Sequence, residues 1–328
     1  MGLSGETFGW LRDGIGNLDA AQEIESQLGD FTFGTKYYVA TTTEVSNASD
    51  NNLGTSPAEP LATLSAAVDL VTTNKNDVIY MSAASGHTLS TELVLSKNRF
   101  HIVGTGFRGG AHMGQRTRLT MGVTTGTGVA AIKITGTGVT LNNLKISSAD
   151  TLSTSVYGVA DGGEFTILRN CWIEKSTDLD QTGAAELLAN GDTATYIGCT
   201  FGNMIYRPSV ARQNVLFTRE TITGKVARSN TFQDCNFLGF PSATTFSHMR
   251  ATTNDIERFA NVIDCRMLSK VGGSIAAEAI TIGSALTDGG IFLQNPMTNA
   301  TNIATASSGV FSNIANSASL GGKVTEVT

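Results

Sequence analysis

Four cysteines, Cys171, Cys199, Cys235 and Cys265, and the carboxylates scattered around them are the residues of this chain whose types could do chemistry. Closed zinc sites draw on close pairs such as C-x2-C, and the nearest two cysteines here stand 28 residues apart. Zinc is not expected. Cleavage of a glycoside needs two or three carboxylates held roughly 5 to 10 Å apart to serve as acid, base or nucleophile. Asp178 and Asp180 could share one face of a strand, with Asp161, Glu164 and Asp192 on other segments and Glu174 and Lys175 nearby. A solvated turn over 178–180 is the simpler reading. The histidines His87, His101, His112 and His248 show no metal spacing, and Asp50-Asn51-Asn52 reads as well as an Asx turn as a calcium loop. No catalytic, metal or cofactor site is expected.

The cysteines instead mark a repeat. They stand in Arg169-Asn170-Cys171-Trp172-Ile173, Ile197-Gly198-Cys199-Thr200-Phe201, Gln233-Asp234-Cys235-Asn236-Phe237 and Ile263-Asp264-Cys265-Arg266-Met267. Each follows a small or polar turn residue, and an apolar residue stands two positions on. Asn142-Asn143-Leu144-Lys145-Ile146 is the same pattern with Leu for Cys, 27 residues earlier. Strands that return to one frame every 25 to 35 residues or so are what a solenoid needs, because no turn of it can bury its apolar face alone. With Cys and the apolar residue facing in, Trp172, Thr200, Asn236 and Arg266 face out. Adjacent rungs lie about 4.8 Å apart but parallel, whereas a disulfide wants a dihedral near 90 degrees, so a stacked column of free thiols is expected.

The elements around the repeat follow from their periods. Short β runs begin at Asp77, among them Val78-Ile79-Tyr80-Met81, His101-Ile102-Val103 and Ala131-Ile132-Lys133-Ile134, punctuated by Gly and Asn. Before them, Lys36 to Ala40 reads as a strand. Leu61, Leu64, Val68 and Val71 recur at helical spacing after Pro60. Residues 1–36 differ, with a short helix expected over Leu18 to Leu28 capped by Asn17 and stopped by Gly29. They are assigned as an attachment or capping segment, residues 37–270 as the coil, and 271–328, rich in Ala, Ser, Gly and Asn, as a C-terminal cap or subunit-contact segment that departs from the repeat. Within it, Gly290-Ile291-Phe292-Leu293 reads as an apolar strand.

Composition narrows the function classes. A net charge of −6 and 22 Lys plus Arg argue against a surface built to neutralise phosphates, so nucleic acid is not an expected partner. No window approaches the roughly 20 apolar residues of a membrane span, and Met1 to Asp13 has no secretory pattern, so synthesis in a cytoplasm is expected.

Tyr37-Tyr38-Val39, Asp50 to Ser56, Pro60 to Ala67, Asp77-Val78-Ile79-Tyr80 and Ile102-Val103-Gly104-Thr105-Gly106 together resemble the opening of pectin-lyase-like β-helix proteins. The resemblance covers roughly residues 37 to 270. It implies an all-β, right-handed, single-stranded parallel β-helix with short N-terminal helical segments and a non-repeat C-terminal tail. That superfamily holds polysaccharide lyases, glycoside hydrolases and many tailed-phage virion proteins. The hydrolase signatures Asn-Thr-Asp, Asp-Asp, Gly-His-Gly and Arg-Ile-Lys are absent, and Ser85-Gly86-His87 matches only superficially. Arg116-Thr117-Arg118-Leu119 lacks the proline and the carboxylate cluster of the lyases.

The expectation is therefore a non-enzymatic virion structural protein of a tailed phage, a capsid decoration or head-fibre protein. By family habit it is a homotrimer contacting other capsid or tail proteins through residues 1–36 or 271–328. The rival is a tailspike or depolymerase that binds or cleaves host surface polysaccharide, with Trp172, Tyr157 and Tyr196 as aromatic wall contacts.

Overall fold

The computed structural model describes residues 34–83, 86–106, 117–121, 130–148, 157–175, 184–204, 212–218, 225–241, 246–251, 255–270, 276, 278–282, 289–304 and 309–312. The helix expected over 18–28, and Asp178, Asp180, Arg116 and His112, lie outside these residues.

Among the described residues the strands build three parallel walls of ten, eight and eight strands. In one coil the chain passes Thr140–Asn142 on the first wall, Leu144–Ser148 on the second and Tyr157–Asp161 on the third, then returns to the first at Ile167–Arg169. The next coil pairs with it in register, for example Leu141 with Leu168, Ile146 with Ile173 and Val159 with Leu187. This is a parallel β-helix.

First and second walls meet at a one-residue corner. Asn143, Asn170, Gly198, Asp234, Asp264 and Asn295 all sit there with φ between 49° and 60°. Only Gly, Asn and Asp adopt this left-handed conformation at modest cost, which is why a small or polar residue precedes every cysteine. The N–H groups of the first five corners continue the ladder to the next coil, as Asn170 N–H does to the Ile197 carbonyl at 2.8 Å.

The residue after each corner turns inward. All four cysteines are buried and unpaired by disulfide. Each thiol donates to a first-wall carbonyl one coil back: Cys171 to Leu141, Cys199 to Leu168, Cys235 to Tyr196 and Cys265 to Phe232, at 3.3 to 3.5 Å. Beside them Tyr196 stacks on Phe232 at 4.5 Å and Phe201 on Phe237 at 5.3 Å. Burial, the largest cause, raises the Cys235 thiol well above its ordinary pKa. A protonated, enclosed thiol is an inert packing group.

The coil runs on past residue 270, the boundary that the cysteine repeat alone suggests. Glu278–Ile282 and Asn302–Ala304 extend the third wall, Gly290–Gln294 and Val310–Ser312 the first, and Met297–Thr298 the second. Asp264 N–H donates to the Gln294 carbonyl at 2.9 Å, so Asn295 stands at the corner position after the last cysteine rung.

The one α-helix among the described residues, Leu64–Leu70, covers the first strands of the coil. It starts three residues later than the apolar spacing suggests. Thr63 is its N-cap, accepting from the Ala66 N–H, and Leu61 is spent on a bridge to Val39. Leu64, Ala67 and Val68 face the coil, and Lys97 Nζ donates to the carbonyls of Val68, Asp69 and Val71 at the helix C-terminus. Asp50 accepts from the Ala62 and Thr63 N–H groups and the Thr63 hydroxyl, so its carboxylate holds the helix start.

Candidate functional site

The described carboxylates among the glycosidase candidates, Asp161, Glu164, Glu174 and Asp192, are spread over different parts of the coil. Asp161 ends a third-wall strand level with Ile134 and Ala189, and its side chain points into the core. It accepts from the Tyr196 hydroxyl at 2.8 Å, the Gly163 N–H at 3.0 Å and the Thr166 hydroxyl at 3.1 Å. Burial outweighs these three donors and raises its pKa to about 6. Tyr196 is buried in the same place, stacked and hydrogen-bonded, and Tyr157 is buried among Ala130, Ala160 and Leu188. Neither tyrosine is a wall contact, contrary to the expectation from sequence, because Tyr196 faces the core between Leu168 and Phe232 and Tyr157 is packed in a separate apolar cluster.

Glu164 and Asp192 stack on successive coils at the corner between third and first walls. Lys225 Nζ lies 3.0 Å from Glu164, while Arg228 reaches Asp192 at 3.7 Å and donates through Nε to Glu257 at 2.6 Å. All of these are surface pairs that contribute little stability. On the second wall Glu174 pairs with Lys145 at 2.9 Å and accepts from Ser147.

That second wall carries the outward row read from the repeat. Arg118, Lys145, Trp172, Thr200, Asn236, Arg266 and Met297 pair in one register down its outer face, opposite Leu119, Ile146, Ile173, Phe201, Phe237 and Met267 in the core. Arg266 is exposed, Trp172 and Asn236 are half-buried, and Thr200 is buried. Lys145 Nζ sits 3.9 Å above the Trp172 ring, and Trp172 Nε1–H donates to the Gly202 carbonyl at 2.9 Å. Two cations and a tryptophan side by side form a surface that could take a sugar ring or an anionic group.

A buried polar row went unread in the sequence. Glu186, Asn214 and His248 occupy one position on three successive coils of the third wall, between Ala185, Gln213 and Ser247 on one side and Leu187, Val215 and Met249 on the other. Arg212 pairs with Glu186 at 2.9 Å, both about 5% exposed. The Asn214 amide donates to Glu186 and to the Leu238 carbonyl, leaving its oxygen to accept from His248 Nδ1–H at 2.8 Å. Burial holds His248 neutral, with a pKa of about 3, and Ser269 Oγ lies 3.4 Å from Nε2. Such a set could relay protons, yet His248 is wholly enclosed. It acts as scaffold. Among the described residues no three His, Cys, Asp or Glu side chains gather as a metal would require.

No protein-family model matches the sequence, and no curated protein does. Solved structures do match. Pectate lyase Pel9A superposes with a TM-score of 0.57 at 12% identity over 88% of this chain and 72% of its own. The pectin methylesterase from Aspergillus niger, in deglycosylated form, gives 0.55 at 12% identity over 89% and 88%. The chain has the right-handed parallel β-helix fold of these proteins. At such identity the likeness is one of fold, and a fold hosts unrelated activities. ORF18 of Geobacillus virus E2 matches at 0.36 and 10% identity over 88% of this chain and 63% of its own.

Proposed function

We propose that this chain is a non-enzymatic structural protein of a tailed-phage virion, a capsid decoration or head-fibre protein assembled as a homotrimer. What supports the reading is how the coil uses its carboxylates. Asp161 is turned into the core, and Glu164, Glu174 and Asp192 each face a Lys or Arg. Among the described residues these four carboxylates are enclosed or paired, which suits a spacer or decoration better than a cleft that must hold a free acid and base. Electron microscopy of particles produced with and without the protein tests this. Loss of defined density from the head is expected, and an unchanged particle would overturn it. Light scattering should give three times the monomer mass.

The second reading, a tailspike or depolymerase, is favoured by the half-buried Trp172 with Lys145 over its ring. Incubation with capsular or lipopolysaccharide fractions separates the two. Release of reducing or unsaturated ends would establish cleavage, and none at any pH would leave the wall at most a binding surface.

A further inference from the structure

The first wall carries a column of outward side chains that holds no charge over six successive rungs. Ile167, Thr195, Thr231, Asn261, Phe292 and Phe311 pair in one register down its outer face. The column beside it, from Arg169 to Gln294, has Arg169 as its one charge, next to the Asn170 corner. All of these side chains are half-buried or exposed.

The C-terminal end of this face is an aromatic cluster. Phe292 stacks on Phe311 at 4.9 Å with the ring planes 14° apart, and Phe259 meets Phe292 edge-on at 6.4 Å. Gly290 makes room for it, since a Cβ there would lie 3.0 Å from the Phe311 ring. Packed as they are, the three rings stay 39%, 45% and 55% exposed. At the other end of the same outer face Val78, Tyr80 and Val103 are buried, in a cluster separate from the core. One chain therefore encloses the apolar residues at one end of the face and leaves those at the other in solvent. A contiguous exposed apolar cluster of that kind marks a contact site.

Charge decides what the contact is with. A rotation axis parallel to the coil sets each rung of one copy opposite the same rung of the next, so residues nearest the axis meet their own counterparts. Like charges cannot meet in this way without repulsion. The side chains that can are apolar, or, as with Thr, Asn and Gln, carry both a donor and an acceptor. The central column holds only these. The other walls do not qualify, because Arg118, Lys145 and Arg266 face out from the second and Lys133 and Arg250 from the third. The charges bordering the first wall are paired within the chain, Glu164 with Lys225 and Asp192 with Arg228, as suits the rim of an interface with an apolar centre.

We propose that the outer face of the first wall, from Ile167 to Phe311, is where copies of this chain meet, side by side and parallel, with Phe259, Phe292 and Phe311 as the apolar anchor. This rests on the homotrimer reading above and supplies its interface. Six rungs about 4.8 Å apart, on strands of three to five residues, make a strip of roughly 29 by 13 Å, or about 400 Å². That is half of the 800 Å² or so that each partner gives to a standard interface, so the corners join in and the assembly loosens on dilution.

Sedimentation of the full-length chain over a concentration series tests this. The parent should form a trimer that dissociates on dilution. Phe292→Glu with Phe311→Glu should weaken association about a hundredfold with an unchanged circular dichroism spectrum, because both rings stand half in solvent. Met297→Glu, a similarly exposed position on the second wall, should associate as the parent does. Thr231→Asp and Thr231→Lys separate the parallel contact from any loss of fold. Each alone should associate weakly, since like charges then face each other, and an equimolar mixture should associate about tenfold more tightly than either. If the parent assembles but the phenylalanine pair assembles equally well, or the mixture does no better than its components, this interface is overturned and the homotrimer stands. A parental dimer that responds to the same variants keeps the interface and removes only the trimer. A parent that is monomeric at every concentration overturns both.

Discussion

Replacing Asp161 by asparagine should change how stability depends on pH in one direction only. The carboxyl is fully buried, accepts three hydrogen bonds, and still has a pKa near 6, because desolvation is the largest influence on it. In the unfolded chain the same group titrates near 3.9. The folded state therefore holds a proton that the unfolded state has lost between these values, and stability is highest below the lower one. As pH rises through about 6, folding must carry a buried anion. The gap of about two pH units corresponds to roughly 3 kcal/mol lost between about pH 4 and 7. The amide of the variant would have no proton to lose. The assay is urea unfolding of the parent and Asp161→Asn at intervals from pH 4 to 8, with the difference between the two proteins plotted so that all other titrations cancel. That difference should move by about 2–3 kcal/mol in favour of the variant as pH rises, with its steepest part near pH 5, midway between the two values. A flat difference would refute the reasoning, for it would mean that Asp161 is solvated or that its three donors hold the anion as well as water does.

Native protein should show no thiol reactive toward a bulky disulfide reagent and four after denaturation, since all the cysteines are buried. One reactive thiol in native conditions would contradict the enclosed column. Arg212→Met should cost about 3–5 kcal/mol in chemical unfolding by leaving Glu186 charged in the core, and Arg212→Met with Glu186→Leu should recover most of it. Phe165 is 59% exposed with φ of 53°, so Phe165→Asn should raise stability by about 1 kcal/mol, measured in the same way.

The coil was legible where a turn is one residue long. Asn170, Gly198, Asp234 and Asp264 sit between two strands of the same frame, so the left-handed corner and the inward cysteine recur together in the sequence and give away both walls. The 36-residue step from Cys199 to Cys235 is absorbed elsewhere. Thirteen residues separate Leu216 from Asn230, where the preceding coil has five between Ala189 and Thr195. The third wall could not be aligned for this reason. Glu186 lies 13 residues before Cys199, Asn214 lies 21 before Cys235, and His248 lies 17 before Cys265, so three residues stacked in space share no offset in sequence. The contacts of His87 were hidden differently, since Glu44, Ser82 and His87 come from separate segments and no motif records the approach of the imidazole to the Ser82 carbonyl. Tyr157 and Tyr196 were misplaced because a tyrosine's alternation says which side of a strand it takes but not whether loops or inner rungs enclose that side.

The enclosed polar row answers a problem that the apolar columns create. Leu168, Phe232 and Val262 on the first wall, or Ile146, Ile173, Phe201 and Phe237 on the second, are interchangeable hydrophobes. A coil that slipped by one rung would still bury them. Glu186, Arg212, Asn214 and His248 do not tolerate the slip, since each donor meets its acceptor only when the three coils stack in the observed order. Displacing Asn214 by one rung would take from Glu186 Oε2, from His248 Nδ1 and from the Leu238 carbonyl the partner that each finds in its side chain, at about 1–3 kcal/mol apiece. A row that adds little net stability when intact therefore penalises the wrong register heavily, which is the best-attested use of buried ion pairs and amides. The row also lies where such a device is most needed. It belongs to the third wall, whose connections vary most in length, while the first two walls are already held in step by their one-residue corners.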